Sequence, residues 1–219
     1  MQLTLQTALF IKNQNLYIVL LCNICYKMKL FIESSKQRVM EVMFKHPTEE
    51  FSLSDLAKLA RVAKPHIGKI LKELQQSELI EIKKLSKIWR IKALQNDNFI
   101  KNKIIYNLHL LFQSNIIPLI DELYNHPKAI ILFGSYRKGE DIIGSDIDIA
   151  VEVEKNIEIK SLSLKQLLDE KPAKIVDNFE NDIKRQIQIY PFNKKNIDIH
   201  VFNNIANGII LSGFLEVKP

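Results

Sequence analysis

Two aspartates one residue apart, Asp146 and Asp148, open the run DIDIAVEV at residues 146–153. A strand sends alternate side chains to opposite faces, so Asp146, Asp148, Ala150 and Glu152 share one face and Ile147, Ile149, Val151 and Val153 the other. Neighbouring carboxylates raise each other's energy unless positive charge sits between them. Hard oxygen ligands suit Mg²⁺. A second alternating run, NIDIHVF at 196–202, reads in the same way, with Asp198, His200 and Phe202 on one face. If the two strands are neighbours, Asp198 brings a third carboxylate to the pair, while His200 is taken as structural.

Upstream of the aspartates, the apolar run AIILF (129–133) ends in Gly134-Ser135. A glycine lets backbone approach a ligand closely, and a helix N-terminus offers free N–H groups to an anion. The Ser135 hydroxyl and the basic Lys138, with Arg137 beside it, extend the same phosphate site, and Gly139 ends the turn. A single site could then hold a metal and the phosphates that it neutralises, which is the arrangement of two-metal phosphoryl or nucleotidyl transfer. The spacing is not that of a Walker loop, which needs G-x-x-x-x-G-K-[ST].

Taken together, L-F-G-S-Y-R-K-G-x5-S-D-I-D-I-A-V resembles the signature of the DNA polymerase β-like nucleotidyltransferase superfamily, in its minimal nucleotidyltransferase (MNT) branch, over about residues 127–205. The resemblance implies that Gly134 and Ser135 grip the triphosphate of an NTP and that Asp146 and Asp148 bind two Mg²⁺ ions. It also implies a third carboxylate from a later strand, matched by Asp198, which would bind metal and activate the attacking hydroxyl. The implied reaction moves NMP, with ATP the expected donor, to a hydroxyl. Small members of the branch resemble antitoxins that pair with HEPN-domain toxins and attach AMP to a toxin tyrosine, while others modify antibiotics or RNA. A HEPN-type protein partner is therefore expected. The alternative is a DNA-binding regulator whose nucleotidyltransferase domain senses nucleotide or is inactive.

The chain around this motif has 219 residues, 47% hydrophobic and 26% charged, with a formal net charge of +6. The charge is uneven: residues 1–95 carry 16 Lys+Arg against 8 Asp+Glu, and residues 96–219 carry 15 against 17. A basic N-terminal half points to a polyanion. Ser34 or Ser35 should cap a helix to about Lys45, Ser52 or Ser54 a short helix to Ala60, and Lys64-Pro65 should open a third. Leu79 to Lys83 and Ile88 to Lys92 then alternate as a hairpin. Three helices and a hairpin resemble a winged helix-turn-helix over about residues 34–93. In that fold the second helix of the pair enters the DNA major groove. Lys64, His66, Lys69 and Lys72 on the helix, and Lys83, Lys84, Lys87 and Arg90 on the wing, are the candidate DNA contacts. Two-fold DNA binding would favour a homodimer.

The expected fold class is α+β, a winged helix-turn-helix followed by a small mixed sheet with flanking helices. The expected divisions are an N-terminal extension over 1–27, the winged helix over 28–95, a connecting helical segment over 96–126 that Pro118 kinks, and the nucleotidyltransferase domain over 127–219. Residues 161–185 read as helix with a break near Lys171-Pro172, and a last helix is expected from Asn203 or Asn204. Residues 1–27 read as a product of a misplaced start codon, which an intact residue 1 in the native mass would refute. Leu16 to Leu21 is far shorter than the roughly 20 residues that span a bilayer. The two cysteines, Cys22 and Cys25, form one C-x-x-C without a second ligand pair, which is not a closed zinc site. They suggest a reducing, cytoplasmic setting.

Overall fold

The structure is a computed structural model and describes residues 34–85, 88–155 and 160–217. The expected extension over 1–27, Cys22, Cys25 and Lys87 lie outside the described residues.

The N-terminal module begins with α1 (Ser35–Lys45). Ser34 caps it in a reciprocal box with Gln37, satisfying N–H groups that the first turn leaves open; loss of such a cap costs about 1 kcal/mol. β1 (Glu50–Phe51) leads to α2 (Leu53–Leu59), capped by Ser52, and α3 (Lys64–Gln76) carries its proline in the first turn. β2 (Ile80–Leu85) and β3 (Ile88–Ala93) pair antiparallel, and β1 joins the far side of β3. Ile67, Leu71 and Leu74 turn inward from α3 onto Val39, Met43, Leu56 and Ile91.

The helical segment that follows is two helices, α4 (Asp97–Gln113) and α5 (Ile116–Leu123). The interruption is at Ser114-Asn115, where Asn115 takes a left-handed φ of 59°, and not at Pro118. Pro118 sits in the first turn of α5, where its missing N–H deprives no earlier carbonyl of a partner. α4 serves both halves of the molecule: Phe99 belongs to the N-terminal core and Leu111 to the C-terminal one.

The C-terminal sheet is built from β4 (Ala129–Phe133), β5 (Asp146–Glu152), β6 (Leu162–Ser163), β7 (Gln186–Phe192) and β8 (Ile209–Gly213), in the order β6-β7-β5-β4-β8. β5 and β7 run parallel and the other pairs antiparallel. The short helix α6 (Gly134–Lys138) joins β4 to the loop before β5, and α7 (Glu170–Ile183) crosses over from β6 to β7. α7 starts before Pro172, so the break expected at Lys171-Pro172 falls earlier, after the 3-10 turn Leu164–Leu167. One sheet face, with Ile130, Leu132, Ile147, Ile149, Ile187 and Ile189, is buried under α5 and α7.

The run 196–202 is not a strand. A turn over residues 194–196 leads into α8 (Ile199–Ala206), with Asp198 as its N-cap. The Asp198 carboxylate accepts from the N–H of His200 at 2.9 Å and of Val201 at 3.3 Å. An aspartate followed by an apolar stretch is as good a helix start as it is a strand face, and the cap decided the outcome. The last helix therefore begins before Asn203, and β8 follows where more helix was expected. Ile205 of α8 covers Ala129, Ile131, Ala150 and Phe192 on the second sheet face.

Candidate nucleotide and metal site

The end of the second sheet face that carries the aspartates is the more open one. Asp146 is exposed and Asp148 half-buried, side by side on β5. Burial pushes the Asp148 carboxyl above the usual carboxylate range; a hydrogen bond from Tyr190 opposes this and the charge of Asp146 adds to it. Phe133 of β4 lies opposite Asp148 on one side and Gln188 of β7 on the other.

Gly134 has a φ of 73°, and a Cβ on it would lie 2.1 Å from Asp148 Oδ2. Only a glycine allows both the left-handed turn and the approach of the carboxylate. Gly134 therefore brings the first turn of α6, with Ser135 half-buried in it, against the second aspartate. Gly134→Ala is expected to weaken binding of Mg²⁺ with ATP in equilibrium titration by about tenfold or more, and to cost about 1–2 kcal/mol in denaturation from the backbone alone. Lys138 is exposed at the end of the same turn. Gly139 caps α6 at a φ of 70°, and a Cβ there would press on Ile100 O at 3.0 Å and Ile104 Cγ1 at 3.1 Å. The second glycine of the motif thus lets α4 approach and is not turned toward the ligand face.

Asp198 does not join the pair. It lies on a helix cap and not on a strand beside β5, and among the described residues no group of three or more Asp, Glu, His or Cys could hold a metal. The strand beside β5 is β7, whose side chains on this face are Gln186, Gln188 and Tyr190. The donor set is therefore two carboxylates with an amide alongside. It fits a single Mg²⁺ arriving with a triphosphate, whose oxygens supply most of the shell. A second ion lacks the third carboxylate that the sequence seemed to offer.

A buried polar cluster holds the loop between the two halves of the motif. Asp141, 1% exposed, receives Arg185 Nε at 2.7 Å, Lys103 Nζ at 3.1 Å and Asn107 Nδ2 at 2.8 Å. Asn107 also donates to Tyr136 O in α6 at 2.9 Å, and Arg185 reaches Lys45 O at the end of α1 at 3.2 Å. Burial lowers the Lys103 pKa and the Asp141 charge works against that. None of these residues stood out in the sequence, because Lys103 with Asn107, Asp141 and Arg185 come from three distant stretches of it and share no motif.

On the N-terminal module, Lys64, His66, Lys69 and Lys72 are exposed on α3, away from its buried face. On the hairpin, Lys83, Lys84 and Arg90 are exposed but engaged within their own sheet. Lys83 pairs with Glu81 at 3.5 Å, Arg90 with Glu50 at 3.0 Å, and Lys84 lies 4.3 Å from the Trp89 ring centroid. Exposed pairs of this kind are weak.

Residues 114–207 match a family model described as "Nucleotidyltransferase domain". This supports the likeness to the DNA polymerase β-like superfamily. The matched residues include Gly134, Ser135, Lys138, Asp146, Asp148 and Gln188, whereas Lys103 and Asn107, which hold the loop between the two halves of the motif, lie before the match. No curated protein matches the chain. Among solved structures, the crystal structure of heme sensor protein PefR from Streptococcus agalactiae in complex with heme is similar at 16% identity, with a TM-score of 0.31, over 57% of this chain and 91% of that one. A likeness of that size bears on neither fold nor function. Among the described residues no helix is long and apolar enough to cross a membrane.

Proposed function

We propose that the chain is a Mg²⁺-dependent nucleotidyltransferase that takes ATP or another NTP and moves its NMP to a hydroxyl, and that residues 28–95 are a winged helix-turn-helix that binds DNA. The observation that carries the first part is the contact of Gly134 with Asp148, which joins the phosphate-binding turn to the cation-binding carboxylates. Asp146 and Asp148 would hold the Mg²⁺, and the first turn of α6, Ser135 and Lys138 would hold the triphosphate. Bound Mg²⁺ supplies charge neutralisation and polarisation of the phosphoryl oxygens. In the transfer, the acceptor oxygen bonds to the α-phosphorus and the bond from that phosphorus to the bridging oxygen breaks. Pyrophosphate leaves with the electron pair, and the hydroxyl proton passes to water.

The acceptor favoured by the resemblance is a HEPN-type toxin, making this chain antitoxin-like. The basic α3 face suits an antitoxin that acts on its own operon, as a homodimer on a two-fold site. Equilibrium titration of the full chain with ATP, with Mg²⁺ and with EDTA, tests the site: binding that requires Mg²⁺ supports the reading, and its absence refutes it.

One observation favours the second reading, a DNA-binding regulator that senses nucleotide without transferring it. Gln188 stands beside Asp148 where a third carboxylate would complete a two-ion site. Gln188→Asp is expected to tighten Mg²⁺ binding by about tenfold, the effect of adding one charged ligand at roughly 1.4 kcal/mol. Transfer that appears only in this variant would establish the sensing reading, whereas transfer already present in the wild type would establish the enzyme.

A further inference from the structure

The Asp148 carboxylate is confined from two directions. On one side lies the bare Cα of Gly134, where a Cβ would come within 2.1 Å of Oδ2. From β7 comes Tyr190, whose hydrogen bond to the carboxylate works against the upward push of burial on the Asp148 pKa. β7 runs parallel to β5 with Gln188 opposite Asp148 and Tyr190 opposite Ala150, so Tyr190 reaches Asp148 from the next rung of the same face. The Tyr190 ring is held edge-on by Phe133, with centroids 5.2 Å apart and planes at 74°. Phe133 is itself the antiparallel partner of Asp148 on β4. Ser161 donates to Gln188 Oε1 at 2.8 Å and so holds the amide beside Asp148. The tyrosine ring is thus held by Phe133 before anything binds.

A carboxylate can rotate about its last torsion, and a cation ligand gains when that freedom is removed in advance. We propose that Tyr190 is the positioning residue for Asp148, orienting that carboxylate toward a divalent cation carried by an NTP. This rests on the reading of Asp148 as a cation ligand. Tyr190 stands two residues beyond Gln188 on the face where a third carboxylate is missing. The site therefore supports its two charges with a neutral donor and does not add a third charge.

The test uses the full chain with Mn²⁺ as the probe, free Mn²⁺ being read by electron paramagnetic resonance at a fixed ATP concentration. Tyr190→Phe keeps the ring contact and removes the hydroxyl. It is expected to weaken Mn²⁺ by about tenfold, as loss of a partner behind a metal ligand does, while the thermal midpoint stays near that of the wild type. Mg²⁺ with ATP should also give the wild type a tyrosine near-ultraviolet difference spectrum that Tyr190→Phe lacks. Wild-type affinity in Tyr190→Phe, or a loss matched by a fall in stability with the difference spectrum intact, overturns the proposal and leaves the site reading standing. No Mn²⁺ binding by the wild type overturns the site reading itself and the proposal with it.

Discussion

An Asp146→Asn/Asp148→Asn double variant is expected to fold like the wild type and to lose nucleotidyl transfer by on the order of a thousandfold, because a metal's stabilisation of transition-state charge is worth several kcal/mol at 1.36 kcal/mol per tenfold in rate. Binding of ATP that depends on Mg²⁺ should disappear with it. The fold survives because neither carboxylate supports the core. Asp146 is exposed, and the half-buried Asp148 is raised in pKa by burial and by its neighbour. Removing both charges relieves that repulsion. Thermal denaturation beside the activity assay checks the two halves of this expectation. A variant that unfolds would make the aspartates structural. A folded variant that still transfers would remove them from the site.

The second large effect is on stability. Asp141→Asn removes the one negative charge between Lys103 and Arg185, both at most 3% exposed. Breaking a buried ion pair from one side costs about 3–5 kcal/mol, since the remaining charge keeps its desolvation cost. For a chain of this size the midpoint should fall by about 10 °C. The probe is Trp89, the single tryptophan, which packs against the N-terminal core although Asp141 lies in the C-terminal half. Because α4 belongs to both cores and Arg185 bonds Lys45 O, Trp89 fluorescence and near-ultraviolet circular dichroism should report one shared transition, shifted together. Lys194→Ala, which removes the pair with the exposed Glu216 and a longer-range attraction to Glu152, should shift that transition much less. Two separate transitions, with only the second shifted, would mean that the halves are energetically independent.

Much of this architecture was legible because local signals agreed with the tertiary outcome. Ser34 and Ser52 cap the helices that they seemed to cap, and Lys64-Pro65 opens α3. Alternation gave β5 and placed Asp146 and Asp148 on one face. The same alternation misled at Asp198, because an N-cap aspartate before Ile199 and Val201 also satisfies a helix, and two capping N–H groups outweighed a two-residue period. Gln188 and Tyr190 were visible as alternating residues, but which strand neighbours β5 is a matter of topology that no local period contains. The parallel pairing of β5 with β7, through the crossover of α7, is what brings them beside Asp148. The Asp141 cluster was out of reach for the same reason, being assembled across 34 to 44 residues of separation.

The most direct test of the central claim is incubation of the full chain with α-labelled ATP and Mg²⁺, with and without a HEPN-type partner, beside the Asp146→Asn/Asp148→Asn variant. The account predicts label on a hydroxyl of the partner or of the chain, released pyrophosphate, and neither with the variant. Equal labelling by wild type and variant, or no labelling under any of these conditions, would contradict it.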